Sequence, residues 1–485
     1  MSEPQPRTVQ QYIDETPEWA DGTRVAGTPM ARMQWRIWML ATAGKFFEGL
    51  VIFMTGVALP LIVTEFHLGD AEKGLVSAAS LFGILIGATA LGGLADRFGR
   101  KAMFIAEMAI FVAFLVLVTM SHSFGWLLFG LFGLGVALGC DYPTAHLVIS
   151  ESIPSNDRGR LVLGAFGFQA VGALVGVILG YLILKADPAT SDWRLMYGMA
   201  IVPAALVTIG RFFVPQSGQW LVSQGRIAEA EKELRKLLDR DPPYPTQVAL
   251  CDPDAHMTAV ADRHPGFQKL FKKKHRRATV LASVPWFLQD LSTYGIGIFT
   301  PTILAVTFGK ASGAPRNLTE LIYSDMLAAK GAALLDVLLI VGIVGAILLA
   351  DRIGRIRLQI VGFIGCAAGL ALAAVSTHFT GPTQLAFVFA GFMLFNLMTN
   401  LGPNATTYLI AGEVFPTRIR GLGAGFAASF AKIGAVLTAF LFPILLKDLG
   451  TATLLHGLVV ASLLGAVVTW RFAIETKGMN LEKMG

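Results

Sequence analysis

Long apolar runs, each near the length of a bilayer crossing, alternate along the chain with short polar connections. Residues 102–121 carry a single acid, Glu107, and residues 450–470 carry no charged side chain. A helix needs about 20 apolar residues to cross a bilayer core, so these runs read as spanning segments rather than core helices of a soluble domain. The pattern predicts spanning helices at roughly 37–64, 74–95, 102–120, 125–150, 160–185, 194–214, 278–307, 326–350, 358–377, 384–411, 420–446 and 450–471. The expected fold is an all-α membrane protein with twelve transmembrane helices.

Composition and charge sharpen this. The 485 residues are 54% hydrophobic and only 15% charged, and the 52 glycines suit close helix approach in lipid. The net charge of +6 does not call for nucleic acid, because the basic residues collect in alternate connections. Arg97, Arg100 and Lys101 follow the second helix, Arg158 and Arg160 the fourth, Arg352, Arg355 and Arg357 the eighth, and Arg418 and Arg420 the tenth. The third-to-fourth and ninth-to-tenth connections have no Lys or Arg. That asymmetry predicts two cytoplasmic termini and a lipid bilayer as the surrounding partner. Cys140, Cys251 and Cys366 are scattered without metal-type spacing, so neither a metal nor a cofactor is expected.

The expected organisation is a cytoplasmic tail (1–36), a six-helix bundle (37–214), a cytoplasmic linker (215–277), a second six-helix bundle (278–472) and a cytoplasmic tail (473–485). The polar opening residues read as a tail, with no cleavable signal. The linker holds an amphipathic run, Ile227 to Leu238, and a basic cluster, Lys272 to Arg277, suited to anionic lipid. The halves repeat: Asp96-Arg97-Phe98-Gly99-Arg100 recurs as Asp351-Arg352-Ile353-Gly354-Arg355. Glu151-x-x-Pro154-x-x-x-Arg158-Gly159 recurs as Glu413-x-x-Pro416-x-x-x-Arg420-Gly421. Offsets of 255 and 262 residues imply two pseudo-symmetric bundles with a solute path between them.

Gly92-x-x-x-Asp96-Arg97-x-Gly99-Arg100-Lys101 resembles the signature loop of the major facilitator superfamily. Pro215-Gln216-Ser217-Gly218-Gln219-Trp220-Leu221 and the tail Glu475-Thr476-Lys477-Gly478 are similar to sugar-porter segments. The resemblance implies a multi-pass plasma (inner) membrane transporter, not an enzyme, working as a monomer. The repeated charges, Asp96, Arg97, Arg100, Glu151, Arg158, Asp351, Arg352, Glu413 and Arg420, are gating candidates, tying helix ends together in one state and releasing them in another. Marking the inner face is the alternative role for the basic ones.

Charges within the spans cost about 2.5–3.5 kcal/mol each on insertion scales, which makes them functional candidates. They are Lys45 and Glu48, Asp141, Asp290, Lys330 and Asp336, and Lys432. Lys45 and Glu48, three apart, share a face and can also simply neutralise each other; Lys330 can snorkel from an outer end. Pro143 is expected to break the fourth helix beside Asp141. Trp286, Asp290 and Tyr294 lie four apart on one face of the seventh helix, as do Asn396, Asn400 and Asn404 on the tenth.

Gly139-x-Asp141-Tyr142-Pro143, Gln169, Trp286-x-x-x-Asp290-x-x-x-Tyr294, Gly402-Pro403-Asn404 and Lys432 are similar to proton-coupled phosphate symporters; bacterial metabolite:proton symporters share part of the set. This resemblance implies solute binding by Tyr142, Gln169, Trp286, Tyr294, Asn404 and Lys432, and proton handling by Glu48, Asp141 and Asp290. Family members tend to have two Asp on the first helix, where Glu48 stands alone here with Val51 at the second place. The expected function is secondary active, proton-coupled uptake of a small polar or anionic solute such as phosphate. A sugar or organic-acid porter, aromatic acids included, fits the same scaffold. A solute-sensing receptor is the rival of another class, though no output module is visible.

Overall fold

The computed structural model describes residues 7–16, 28–91, 94–186, 189–239, 248–250, 267–312, 318–416 and 419–477. Among the described residues ten helices are long and apolar enough to cross a bilayer; counting the longest of these as two, split at Gly450, and adding Lys273–Ser312 gives twelve spans in two pseudo-symmetric six-helix bundles. The first bundle holds α1 (Arg32–Phe66), α2 (Asp70–Ile86, continued by a π-turn Gly87–Leu91), α3 (Arg100–Thr119), α4 (Phe124–Ser152), α5 (Ser155–Ala186) and α6 (Asp192–Gly198 and Ile201–Phe212). The second holds α7 (Lys273–Ser312), α8 (Leu318–Ile353), α9 (Arg355–Val375) and α10 (Gly381–Leu401 and Pro403–Glu413). Its last two helices, α11 (420–449) and α12 (451–471), are parted only where Gly450 turns to φ +76°, a conformation that suits glycine.

The pairing repeats between the halves. α1 packs on α5 as α7 packs on α11, and α2 on α4 as α8 on α10. α1 and α5 meet backbone to backbone: a Cβ on Gly49 would lie 2.0 Å from the Gln169 carbonyl oxygen, and one on Gly172 would lie 1.9 Å from that of Phe46. Small residues permit that approach, and van der Waals contact then holds the pair in lipid. The halves meet along α2–α11, α5–α8 and α1–α7.

The sequence repeats reappear as matched geometry at one end of the bundle, called here the linker face. Gly99 and Gly354 precede α3 and α9 with nearly identical φ, +95° and +98°. Arg100 pairs with Glu151 at 3.1 Å, and Arg355 pairs with Glu413 at 3.2 Å. Ser217 of the linker donates to Glu151, and Thr476 of the C-terminal segment donates to Glu413, each at 2.5 Å. Glu475 accepts from the backbone N–H groups of Arg355 and Ile356, while Gln216 accepts from that of Lys101.

Several expectations are corrected. Glu151 and Glu413 pair with the arginines that open α3 and α9; Arg158 leaves its buried Nε without a partner, and the Arg420 side chain lies outside the described residues. Of the other gating candidates, Asp351 pairs with Arg355 at 2.8 Å, Arg97 sits over the Phe98 ring, and Arg352 offers its carbonyl to Lys477. The Asp96 side chain is outside the described residues. α4 runs unbroken through Pro143, whereas α10 does break at Gly402. The basic cluster from Lys273 to Arg277 forms the first turns of α7, with Arg277 bonded to the carbonyls of Phe472 and Ala473.

The N-terminal segment does more than trail away. Thr8 caps a short helix, Val9–Asp14, whose Val9, Tyr12 and Ile13 are buried with Ala230, Leu234 and Leu237 of the linker helix Ile227–Leu237. Asp14 then accepts from the backbone N–H and hydroxyl of Ser155, capping the start of α5.

Candidate solute and proton site

At mid-span, where α1, α5, α7 and α11 converge, buried polar groups from both halves meet. Lys432 of α11, 3% exposed, donates to the Tyr294 hydroxyl at 2.7 Å and lies 3.2 Å from Asp290 and 3.7 Å from Glu48. Tyr294 in turn donates to Glu48 at 3.1 Å, and Gln169 donates to both Glu48 (3.3 Å) and Tyr294 (3.2 Å). Lys45 closes the group from one turn away on α1, 2.9 Å from the other Glu48 oxygen. Glu48 and Asp290 therefore share one ammonium across the junction of the halves. Two ammonium groups and two carboxylates cancel, which makes so dry a cluster tolerable.

Five of the nine residues expected to bind solute or carry protons thus come together: Glu48, Gln169, Asp290, Tyr294 and Lys432. Asn404 joins from α10, lining a small cavity with Gln169, Thr293, Tyr294 and Asn400. That cavity is about 20 Å³, enough for a water molecule and too small for a solute. Asn404 donates to Asn400 (2.6 Å) and accepts from Gln289 (3.1 Å), while Asn396 and Asn400 bond backbone carbonyls of α8. The asparagine stripe is therefore partly a helix fastener. Asp336 accepts from Asn396, and Lys330 is exposed.

Trp286 stands toward the linker face, its ring edge-on to Tyr408, which stacks on Phe166 at 4.9 Å and meets His146 edge-on. These rings pack α5 against α10 below the cavity, and Leu163 and Ile343 share a buried cluster that also joins the halves. Above it, a Cβ on Gly56 would lie 2.2 Å from the Ile298 carbonyl and one on Gly74 2.2 Å from that of Phe440, and Lys447 bridges to Asp70 at 2.7 Å. The two halves therefore touch on both sides of the charges.

Asp141 stands apart from this group. Arg211 of α6, fully buried, binds Asp141 at 2.8 Å and Glu107 of α3 at 3.0 Å. The Tyr142 side chain lies outside the described residues. Sequence reasoning missed Arg211, which looks like a helix-end charge, and Gln289, hidden beside Asp290. Glu107 was visible as the lone acid of an apolar run.

The comparisons with known proteins agree with this architecture. Residues 37–485 match the family model described as sugar (and other) transporter. The inner membrane metabolite transport protein YgcS of Escherichia coli is 30% identical over 468 residues, covering 95% of this chain and 96% of that protein. A Schizosaccharomyces pombe protein that carries the provisional name inorganic phosphate transporter is 26% identical, over 93% of this chain and 88% of its own. Among solved structures, the partially occluded, inward-open xylose transporter XylE from E. coli superposes with a TM-score of 0.73 at 19% identity, covering 93% of this chain and 100% of that one. That protein is also described as a major facilitator superfamily proton:xylose symporter. Twelve spans, duplicated motifs and a polar junction between two bundles make this a multi-pass secondary transporter of the major facilitator fold, and the chain belongs to the sugar (and other) transporter family.

Proposed function

We propose that the protein is a proton-coupled symporter that takes up a small anionic solute of the phosphate class by alternating access. The observation that carries this reading is the Lys432 ammonium, buried at the junction of the halves and held by Asp290 and Glu48. An anion entering beside Lys432 must displace a carboxylate, and a carboxylate already charged repels it. Protonating Asp290 removes that repulsion and keeps the site neutral once a singly charged anion arrives, because Lys45 and Glu48 still cancel. Gln169, Tyr294, Asn400 and Asn404 supply donors for an oxygen-rich anion. The relative named for inorganic phosphate supports the solute class.

In this reading the linker face is cytoplasmic in a plasma (inner) membrane, the two halves are residues 37–214 and 278–472, and the Arg100–Glu151 and Arg355–Glu413 clamps hold helix ends during rocking. Tyr142 and Trp286 complete the solute contacts, and the proton gradient makes the flux inward. A second reading, an aromatic carboxylate as solute, is favoured by the Phe166–Tyr408–Trp286 rings beneath the cavity. Solute counterflow with purified protein in liposomes separates the two. Phosphate exchange without exchange of aromatic acids or hexoses supports the first reading; exchange of aromatic acids or hexoses without phosphate overturns it.

A further inference from the structure

Glu48 does more than neutralise the lysine three residues before it. Its Oε2 meets Lys45 Nζ at 2.9 Å. Its Oε1 accepts from Tyr294 at 3.1 Å and Gln169 at 3.3 Å, and lies 3.7 Å from Lys432 Nζ. One carboxylate therefore bridges two ammonium groups, Lys45 from the first half and Lys432 from the second. All three side chains are buried: Lys45 is 7% exposed, Glu48 1% and Lys432 3%. Cancelling charge within α1 would need only the pair itself, not donors from α5, α7 and α11.

The donors on Oε1 are those that the reading above gives to the solute. Glu48 thus holds the place of an oxyanion, with two oxygens on one centre set between two ammonium groups, a phenol and an amide. An incoming oxyanion reproduces this arrangement once Glu48 stops competing for it.

Lys45 also stands on the way from the junction to the linker face. The start of α1 lies at that face, where Gln34 donates to the Ser152 carbonyl, so Lys45 is about one turn nearer to it than Glu48. Its ammonium sits 5.6 Å from the centre of the Phe166 ring, which stacks on Tyr408 of the second half. A ring face attracts a cation without cancelling its charge. The other acid beside this turn, Asp141, against which Gly44 packs, is bound by Arg211.

We propose that Lys45 is a solute ligand, the first-half ammonium of a two-lysine clamp completed by Lys432, and that the ligand spanning them is an oxyanion, phosphate or carboxylate. This deepens, and rests on, the proton-coupled anion reading above. The two ammonium groups are balanced by Glu48 and Asp290. A proton on Asp290 releases one positive charge. A second proton, on Glu48, releases Lys45 and makes room for an anion bearing two charges. Lys45 thereby sets how much charge the solute carries, and an anion held by one lysine from each half draws the halves together.

Calorimetric binding to the purified full-length protein, with inorganic phosphate and with benzoate, tests the assignment. The informative variant is Lys45→Met/Glu48→Gln, which removes one charge of each sign and so leaves no new unpaired ion in the core. If Lys45 only cancels Glu48, this variant binds the anion as the wild type does. With Lys45 as a ligand, binding weakens by about 10- to 100-fold, the range for one charged hydrogen bond. Glu48→Gln alone leaves both lysines to the anion and is expected to bind it more tightly than the wild type, with less need of acid. A double variant that matches the wild type, or a Glu48→Gln protein that binds no more tightly than the double variant, overturns the proposal. Benzoate bound in this ranking without phosphate keeps Lys45 as a ligand and refutes only the phosphate class of the reading above. A wild type that binds neither anion overturns both.

Discussion

Replacing Lys432 by methionine keeps an unbranched chain of similar length and deletes the charge that Asp290 and Glu48 share. At an effective dielectric of about 20, the ammonium attracts Asp290 at 3.2 Å by about 5 kcal/mol and Glu48 at 3.7 Å by about 4.5 kcal/mol. The cost of desolvating all three groups offsets much of this, and deleting one partner of a buried pair typically costs about 3–5 kcal/mol. Lys432→Met is therefore expected to lower stability by that amount, read as a fall in the thermal unfolding midpoint in detergent. Adding Asp290→Asn removes one charge of each sign and is expected to recover at least half of the loss, a coupling that a double-mutant cycle isolates. Transport stays absent in both variants. A Lys432→Met protein that melts with the wild type, or a double variant that melts below the single one, refutes the idea that these groups form one electrostatic unit.

Other perturbations probe the two ends. Gly74→Leu forces side-chain bulk into the Phe440 carbonyl and wedges α2 from α11, so Phe53→Cys, which lines the cavity, should react faster with an impermeant thiol reagent from that side; unchanged labelling contradicts the seal. Glu413→Gln deprives Arg355 and Thr476 of a shared acceptor in a partly buried clamp and should cost about 1–3 kcal/mol in thermal unfolding. Lys447→Ala removes an exposed pair that solvent screens, so the melting midpoint should stay close to the wild type. A larger loss at Lys447 than at Glu413 reverses this ranking of the two ends.

The twelve spans were legible because burial in lipid demands long apolar runs, and the duplicated Asp-Arg-x-Gly-Arg and Glu-x-x-Pro motifs marked the pseudo-symmetry before any contact was known. Boundaries were less legible: α1 begins at Arg32 and α7 at Lys273, since basic residues at a helix end lengthen it without adding hydrophobicity. Glu48, Asp290 and Lys432 stood out as charges in oil, but periodicity fixes only which face of its own helix a residue occupies. It carries no information about partners on other helices, so the pairing of Arg100 with Glu151 was invisible. The same limit hid the Arg211 cluster, in which α3, α4 and α6 must meet before Glu107 and Asp141 acquire a common counter-charge. The packing of Val9, Tyr12 and Ile13 onto the linker was likewise unreadable, because a short apolar triplet in a polar tail looks like any other.

The most direct measurement is phosphate uptake into proteoliposomes with and without an acid exterior, comparing the wild type with Asp290→Asn. Charge balance around Lys432 requires acid-stimulated uptake in the wild type and uptake indifferent to the gradient, or none, in Asp290→Asn. Equal stimulation of both proteins, or a wild type that transports phosphate regardless of the gradient, would contradict a junction whose anion enters with a proton.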